Sequence, residues 1–312
     1  MEYILLIGGL IALVAGGEFL VKGAVGMAIR LKISMLVIGL TVVSFATSAP
    51  ELLVSVQAAM RGVPNIAFGN VIGSNIANIA LVLGVTAIIF PIHVSERVYK
   101  LDWVLMMLAS VILYFFMYWG NDVTRIEGFV LFSLLVVLII YTIKKSRKEA
   151  ASDTLDKELQ EWMPYYKIAG FMLVGIVCLC FGSEWLIKGA VSIAQDFGIS
   201  DRVISITVVA FGTSIPELAT SVMAAIKGRE DLSVGNLIGS NIFNILAVVG
   251  VTASIKTMTI ENGALLSFDM LWMIGIAVLL LPLILLFKSR IIGRLEGVIL
   301  IAAYGFYIYS VF

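Results

Sequence analysis

The sequence predicts an all-α membrane protein of ten transmembrane helices, arranged as two inverted five-helix repeats with helices 2 and 7 broken. Three observations carry this prediction. Of 312 residues, 61% are hydrophobic and only 13% charged, with a mean hydropathy of +1.06, a composition that excludes an ordinary soluble domain. Ten segments each supply the roughly 20 mostly apolar residues that a bilayer requires. The sequence also repeats itself: Val43-Ser-Phe-Ala-Thr-Ser-Ala-Pro-Glu51 returns as Val209-Ala-Phe-Gly-Thr-Ser-Ile-Pro-Glu217, and Gly69-Asn-Val-Ile-Gly-Ser-Asn-Ile-Ala-Asn78 as Gly235-Asn-Leu-Ile-Gly-Ser-Asn-Ile-Phe-Asn244. The same 166 residues separate Glu51 from Glu217 and Asn78 from Asn244.

The spans fall near 3–29, 36–60, 66–90, 101–119, 126–143, 166–195, 203–226, 233–255, 264–287 and 295–312. The first lacks a basic leader and an A-x-A cleavage site and carries Glu18 and Lys22, so it reads as a retained span. Residues 1–143 form the first repeat and 165–312 the second. Between them, 144–164 is dense in Lys, Asp and Glu and reads as a solvated cytoplasmic linker. The duplication extends beyond the two phrases: Glu18 and Lys22 match Glu184 and Lys188, Asp102 matches Asp269, and Arg125-Ile-Glu-Gly128 matches Arg294-Leu-Glu-Gly297. An odd number of spans per repeat makes the second enter from the opposite side. Inverted repeats with interrupted helices are an architecture of secondary transporters, with the substrate site near mid-membrane at the repeat interface. With both termini outside and the linker cytoplasmic, fifteen Lys and Arg lie inside against four outside, as the positive-inside rule requires.

In the second span Ser44, Thr47, Ser48, Glu51 and Ser55 recur at steps of three and four, one polar stripe on a greasy helix. Thr213, Ser214, Glu217 and Ser221 repeat it in the seventh. Lipid cannot face such stripes, so they line a protein interface or a wet cavity. Pro50 and Pro216 remove an N–H and crowd the carbonyls of Ala46 and Gly212, and carbonyls freed at membrane depth need another partner, often a cation. The third and eighth spans supply a facing surface: Asn70, Ser74 and Asn78 recur every four residues, as do Asn236, Ser240 and Asn244, with small Gly73 and Gly239 allowing close approach.

What converges is a set of hard oxygens without thiolate or imidazole, suited to sodium, calcium or magnesium rather than zinc or copper. Adaptable helix breaks favour calcium over rigidly octahedral magnesium. Two carboxylates match one divalent ion or can be shared among sodium ions, and burying both without compensation costs several kcal/mol each, a physical reason for obligate exchange. The only histidine, His93, lies in a loop, and Cys178 and Cys180 point to different sides of a span. An intramembrane enzyme would need an asymmetric acid, base and nucleophile, and no nucleotide phosphate loop is present. Neither an enzyme nor a cofactor is expected. Glu18–Lys22 and Glu184–Lys188 read as self-neutralising pairs at i,i+4. Arg125, Glu127, Arg294 and Glu296 read as interfacial, and Asp102 and Asp269 as acids at helix N-termini.

On the duplicated Thr-Ser-x-Pro-Glu at Thr47–Glu51 and Thr213–Glu217, each followed by Gly-Asn-x-x-Gly-Ser-Asn-Ile at Gly69–Ile76 and Gly235–Ile242, the chain resembles the cation/calcium exchanger superfamily, and within it the prokaryotic sodium/calcium exchangers. The resemblance implies calcium and sodium as transported ions, sites between helices 2, 3, 7 and 8, and a first and sixth helix that move across that core. It implies a single-chain functional unit in the cell membrane and no nucleic acid partner. Glu51 and Glu217 would be shared carboxylates. Thr47 and Thr213 would lend backbone carbonyls to calcium, and Ser44 and Ala210 carbonyls to flanking sodium sites. Ser48, Ser74, Ser214 and Ser240 would give hydroxyls, and Asn78 and Asn244 amides. Some relatives carry an acid where Asn244 stands, which weakens a case for potassium. Proton-driven relatives carry a third acid where Gly73 and Gly239 stand, which favours sodium as the driving ion and leaves a proton-driven calcium or broader cation exchanger as the alternative.

Overall fold

The computed structural model describes residues 2–152, 163–196, 212–260, 263–286 and 290–311. Among them eight helices are long and apolar enough to cross a membrane, or nine when a bent pair counts as one span. In chain order they are α1 (Glu2–Leu31), the bent pair α2 (Met35–Thr47) and α3 (Ala49–Met60), α4 (Pro64–Ile89), α5 (Val98–Gly120), α6 (Arg125–Ser152), α7 (Tyr165–Asp196), the shorter α8 (Ile215–Ile226), α9 (Glu230–Ile255), α10 (Leu265–Leu285) and α11 (Arg294–Val311). The first half of the expected seventh span, with Ala210, and most of the linker lie outside the described residues.

α2 and α3 meet at Ser48 with a bend of 45°. The second helix is broken, as expected, and the prolines sit at a defined place: Pro50 and Pro216 occupy the first turns of α3 and α8, where a missing N–H leaves no bond unmade. The prolines start the second half-helix, and the break falls one residue before it, at Ser48 and Ser214. α3 and α8 end alike. Gly62 and Gly228 take φ of +81° and +66°, and Val63 N–H and Arg229 N–H close onto the Ala58 and Ala224 carbonyls at 3.0 and 2.9 Å, a left-handed stop that glycine adopts without penalty.

α4 and α9 form the centre. In their most apolar stretches 72% and 83% of residues are buried, against at most 39% in any other of the eight spans. Each widens into a π-helical stretch, Ala77–Leu83 and Asn244–Val249, the kind of local rewinding that accompanies functional sites. Two short antiparallel ribbons tie the connecting loops. Strand β1 (Ile92–His93) pairs with β4 (Ile291–Ile292), and β2 (Asp122–Val123) with β3 (Met258–Thr259), so each ribbon joins the two parts of the sequence. The outer surface is apolar because its solvent is lipid, with Trp119, Tyr118, Tyr165 and Tyr309 exposed near helix ends, as in the aromatic belts of membrane proteins.

Three further expectations change. Lys144–Ser152, read as linker, prolongs α6, and Ser146 Oγ accepts the Ser34 N–H at 2.9 Å, docking that extension on the α1–α2 turn. Asp102 and Asp269 close π-helical turns at Val98–Asp102 and Leu265–Asp269, a turn inside their helices rather than at the ends. Side chains, not the helix dipole, hold them: Asp102 faces Arg97 at 3.6 Å, and Asp269 accepts the Tyr307 hydroxyl at 3.0 Å. Glu127 and Glu296 are capping acids. Glu127 accepts the Thr124 N–H at 2.7 Å while Thr124 Oγ1 accepts the Glu127 N–H, and Glu296 accepts the Gly293 N–H at 2.8 Å.

Candidate cation site

The broken helix points its polar stripe inward. Ser44, Thr47, Ser48, Glu51 and Ser55 on α2 and α3 are all buried, as are Ser214, Glu217 and Ser221 at the start of α8. From α4 and α9 come Ser74, Asn78, Ser240 and Asn244, equally buried. Glu51 and Glu217 each have 0% exposure. A carboxylate with no path to water or lipid must be compensated within the protein or by what it binds.

Hydrogen bonds join the four spans crosswise. Thr47 Oγ1 meets Ser240 Oγ at 3.3 Å, and Ser74 Oγ meets Thr213 Oγ1 at 3.3 Å. Asn236 receives the Thr47 hydroxyl at 3.3 Å and donates to Ser221 Oγ at 3.0 Å, while Asn70 donates to Ser55 Oγ at 3.1 Å and to the Glu51 carbonyl at 3.2 Å. Asn236 thus links Thr47, one turn before Glu51, to Ser221, one turn after Glu217. One cluster therefore contains both glutamates and both parts of the sequence.

Among the described residues, eight buried oxygens of this web make no hydrogen bond: both carboxylate oxygens of Glu51 and of Glu217, the hydroxyls of Ser48 and Ser214, and the amide oxygens of Asn78 and Asn244. They form four pairs, each related by the 166-residue spacing. Buried polar atoms are normally satisfied, so eight orphaned acceptors in one place describe a receptor for something that accepts nothing and brings positive charge. Among the described residues no three His, Cys, Asp or Glu side chains gather. The donor set is two acids with neutral oxygens, the chemistry of a hard cation.

Not every residue expected at the site is equally available. The Ser74 and Ser240 hydroxyls are engaged with threonines, leaving each an acceptor lone pair. The Ser44 carbonyl already accepts the Ser48 N–H at 2.9 Å, and its hydroxyl donates to the Gly39 and Asn236 carbonyls. Thr47 ends α2, where the last carbonyls of a helix lose their i+4 donors. Ala210 lies outside the described residues. Sequence reasoning missed Asn75 and Asn241, buried beside the site inside the repeated Gly-Ser-Asn-Ile phrase. Their signal was the phrase itself, which repeats both asparagines and not only the second.

A family model described as sodium/calcium exchanger protein matches residues 1–144 and 167–312. The chain is 39% identical over 308 residues to the CaxA protein of Alkalimonas amylolytica, covering 97% of this chain and 96% of that one. It is 29% identical over 343 residues to sodium/calcium exchanger MaX1 of Methanosarcina acetivorans, covering 97% and 96%. A solved structure of the sodium-calcium exchanger NCX_Mj, soaked with 2.5 mM Na+ and 0.1 mM Ca2+, superposes with a TM-score of 0.82 at 32% identity, covering 99% of this chain and 98% of that one.

Proposed function

The chain belongs to the sodium/calcium exchanger family and is a multi-pass membrane antiporter, and from that premise we propose how it works: calcium and sodium take turns at the oxygen cluster between α2–α3, α4, α8 and α9, exposed first to one side of the membrane and then to the other. Glu51 and Glu217 are the shared charges. Ser48, Ser214, Asn78 and Asn244 supply neutral oxygens, with Ser74, Ser240 and the carbonyls of Thr47, Thr213, Ser44 and Ala210 completing the flanking sites. The observation that carries this reading is the set of eight buried, unpartnered oxygens.

The mechanism follows from charge. A calcium ion neutralises two carboxylates, and sodium ions sharing the same oxygens do so in its place, whereas the charged pair alone in a low-dielectric interior costs several kcal/mol per ion. The core therefore changes access at low cost only when loaded, which couples the two fluxes. Ten spans in two inverted halves, 1–143 and 165–312, with both termini outside and the linker cytoplasmic, place the half-sites on a pseudo-two-fold axis in the membrane. Two features support this arrangement: ribbons that pair loops across the two halves, and crosswise bonds from Thr47 to Ser240 and from Thr213 to Ser74. α1 and α7 are the elements that slide across the core, and one chain suffices.

Purified protein in sodium-loaded liposomes should take up calcium only while an outward sodium gradient exists. Uptake driven by a pH gradient alone, without sodium, would replace sodium by protons as the driving ion. Uptake indifferent to both gradients would remove the exchange mechanism.

A further inference from the structure

An asparagine that binds a cation must present its oxygen, yet its oxygen and NH2 ends are nearly the same shape and are exchanged by a half-turn of the amide. With the NH2 end forward, the side chain turns the positive end of its dipole to the ion. The protein needs a device that fixes the choice, and a chain of hydrogen bonds ending on a group that can only accept provides one. We propose that Asn241 and Asn75, backed by Met106 and Met273, are positioning residues that hold the Asn78 and Asn244 amides oxygen-first toward the ion.

The geometry is present twice. Asn78 Nδ2 donates to Asn241 Oδ1 at 3.3 Å, and Asn241 Nδ2 donates to the Met106 thioether at 3.5 Å. In the other copy Asn244 Nδ2 donates to Asn75 Oδ1 at 3.1 Å, and Asn75 Nδ2 donates to the Met273 thioether at 3.5 Å and to the Asn241 carbonyl at 3.3 Å. A thioether has no proton to give. It therefore takes the NH2 end of Asn241 or Asn75, which turns that residue's oxygen toward the next amide, which takes that amide's NH2 end in turn. What remains at the end of each chain is a single free acceptor, Asn78 Oδ1 or Asn244 Oδ1, buried and unpartnered.

The polarity of each relay is set at acceptor-only groups two side chains away from the ion: the Met106 thioether in one copy, and the Met273 thioether with the Asn241 carbonyl in the other. Each relay crosses between the two parts of the sequence: Met106 to Asn241 to Asn78, and Met273 to Asn75 to Asn244. Duplication preserved it, for 166 residues separate Asn75 from Asn241 and 167 separate Met106 from Met273. Ordinary interhelical hydrogen bonding does not account for it, because glue between helices would satisfy both ends of each amide, and here the oxygen at the end of each relay is left over. Groups of this kind, which touch a ligand residue and not the metal, tune affinity by holding that ligand in one orientation.

The inference rests on Asn78 and Asn244 being ion ligands, and the experiment separates the two claims. Initial rates of sodium-driven calcium uptake in proteoliposomes give KM and kcat for Asn78→Ala, Asn241→Leu and the double variant, with detergent-solution melting as a check on folding. Asn78→Ala should raise the calcium KM, and an unchanged KM would remove Asn78 from the site and with it the premise. Asn241→Leu should raise KM about tenfold, the lower end for an orienting partner at a metal site, with kcat largely kept. In the Asn78→Ala background it should add nothing, since no amide remains to orient. An Asn241→Leu protein with wild-type KM, or one whose loss multiplies that of Asn78→Ala, overturns the positioning role while leaving the ligand role standing. If Asn241→Leu does not fold, Met106→Leu keeps the volume and removes only the acceptor. It should raise KM by a smaller factor in the wild-type background and by none in Asn78→Ala, and the same two contrary results would overturn the proposal.

Discussion

The α1–α7 pair and the four-span core differ in what they add to close packing. α1 and α7 meet through missing side chains: Gly9, Gly16 and Gly23 in one and Gly175, Gly182 and Gly189 in the other recur every seven residues. A Cβ on Gly16 would lie 2.9 Å from the Leu179 nitrogen, and one on Gly175 would lie 2.7 Å from the Leu20 nitrogen, so backbone touches backbone. The core has such glycine contacts too, at Gly39, Gly235 and Gly239 between α2 and α9, but adds side-chain hydrogen bonds between named atoms, Thr47 to Ser240, Ser74 to Thr213 and the asparagine relays. Ties from one region to the other include Ser183 Oγ to the Gly212 carbonyl at 2.8 Å and Lys227 to Glu18 at 3.2 Å. Shape joins the pair, whereas the core adds polar complementarity, which fixes one arrangement of its buried oxygens.

Substitutions can break this contrast, the largest effect first. Glu51→Gln or Glu217→Gln removes one of two charges from a fully buried site and should reduce sodium-driven calcium uptake to that of protein-free liposomes, equally for both. Unequal loss would show that the duplicated halves do unequal work. Gly16→Leu should act on assembly: forcing a side chain between packed backbones costs about 1–3 kcal/mol, seen as a lower melting temperature in detergent. Ser48→Ala and Ser214→Ala should do the reverse, leaving melting unchanged while raising the calcium KM by about tenfold. A melting shift without a KM change would recast those hydroxyls as structural.

Smaller effects sharpen the boundary. Glu18→Gln breaks the half-exposed ties to Lys22 and Lys227, and exposed ion pairs contribute little, so calcium uptake and melting should both stay close to wild type. Glu96 lies in the turn just before α5, its side chain half-exposed, where a hydrogen bond from Lys100 and the charge of Arg290 hold its carboxyl below the ordinary range. A depressed carboxyl stabilises the fold above its unfolded value and loses that contribution as pH falls through the folded one. Glu96→Gln should therefore flatten the acid limb of a melting-against-pH curve slightly and leave uptake at neutral pH unchanged.

The helical spans were legible because a spanning stretch announces itself by composition, and the described boundaries agree with the expected ones to within a few residues outside the linker. The oxygen cluster could be anticipated because duplication marks residues twice: Ser48, Glu51, Asn78 and their mates are among those with unpartnered buried oxygens. Sequence reasoning went astray where local geometry depends on neighbours. It put the break of the second helix beside Pro50, but missed the detail that Pro50 starts the second half. It read Asp102 as a helix-end acid because the π-helical turn before it has no composition signature. It passed over Asn75, Asn241 and the glycines of α1 and α7, whose roles lie in contacts across the chain.

A calcium-soaked crystal, measured for anomalous scattering, tests the central claim most directly. Calcium should lie within 2.3–2.6 Å, the usual calcium–oxygen distance, of carboxylate oxygens from both Glu51 and Glu217, and sodium should displace it. Calcium bound elsewhere, or touching one glutamate while the other bonds only to protein, would contradict the account.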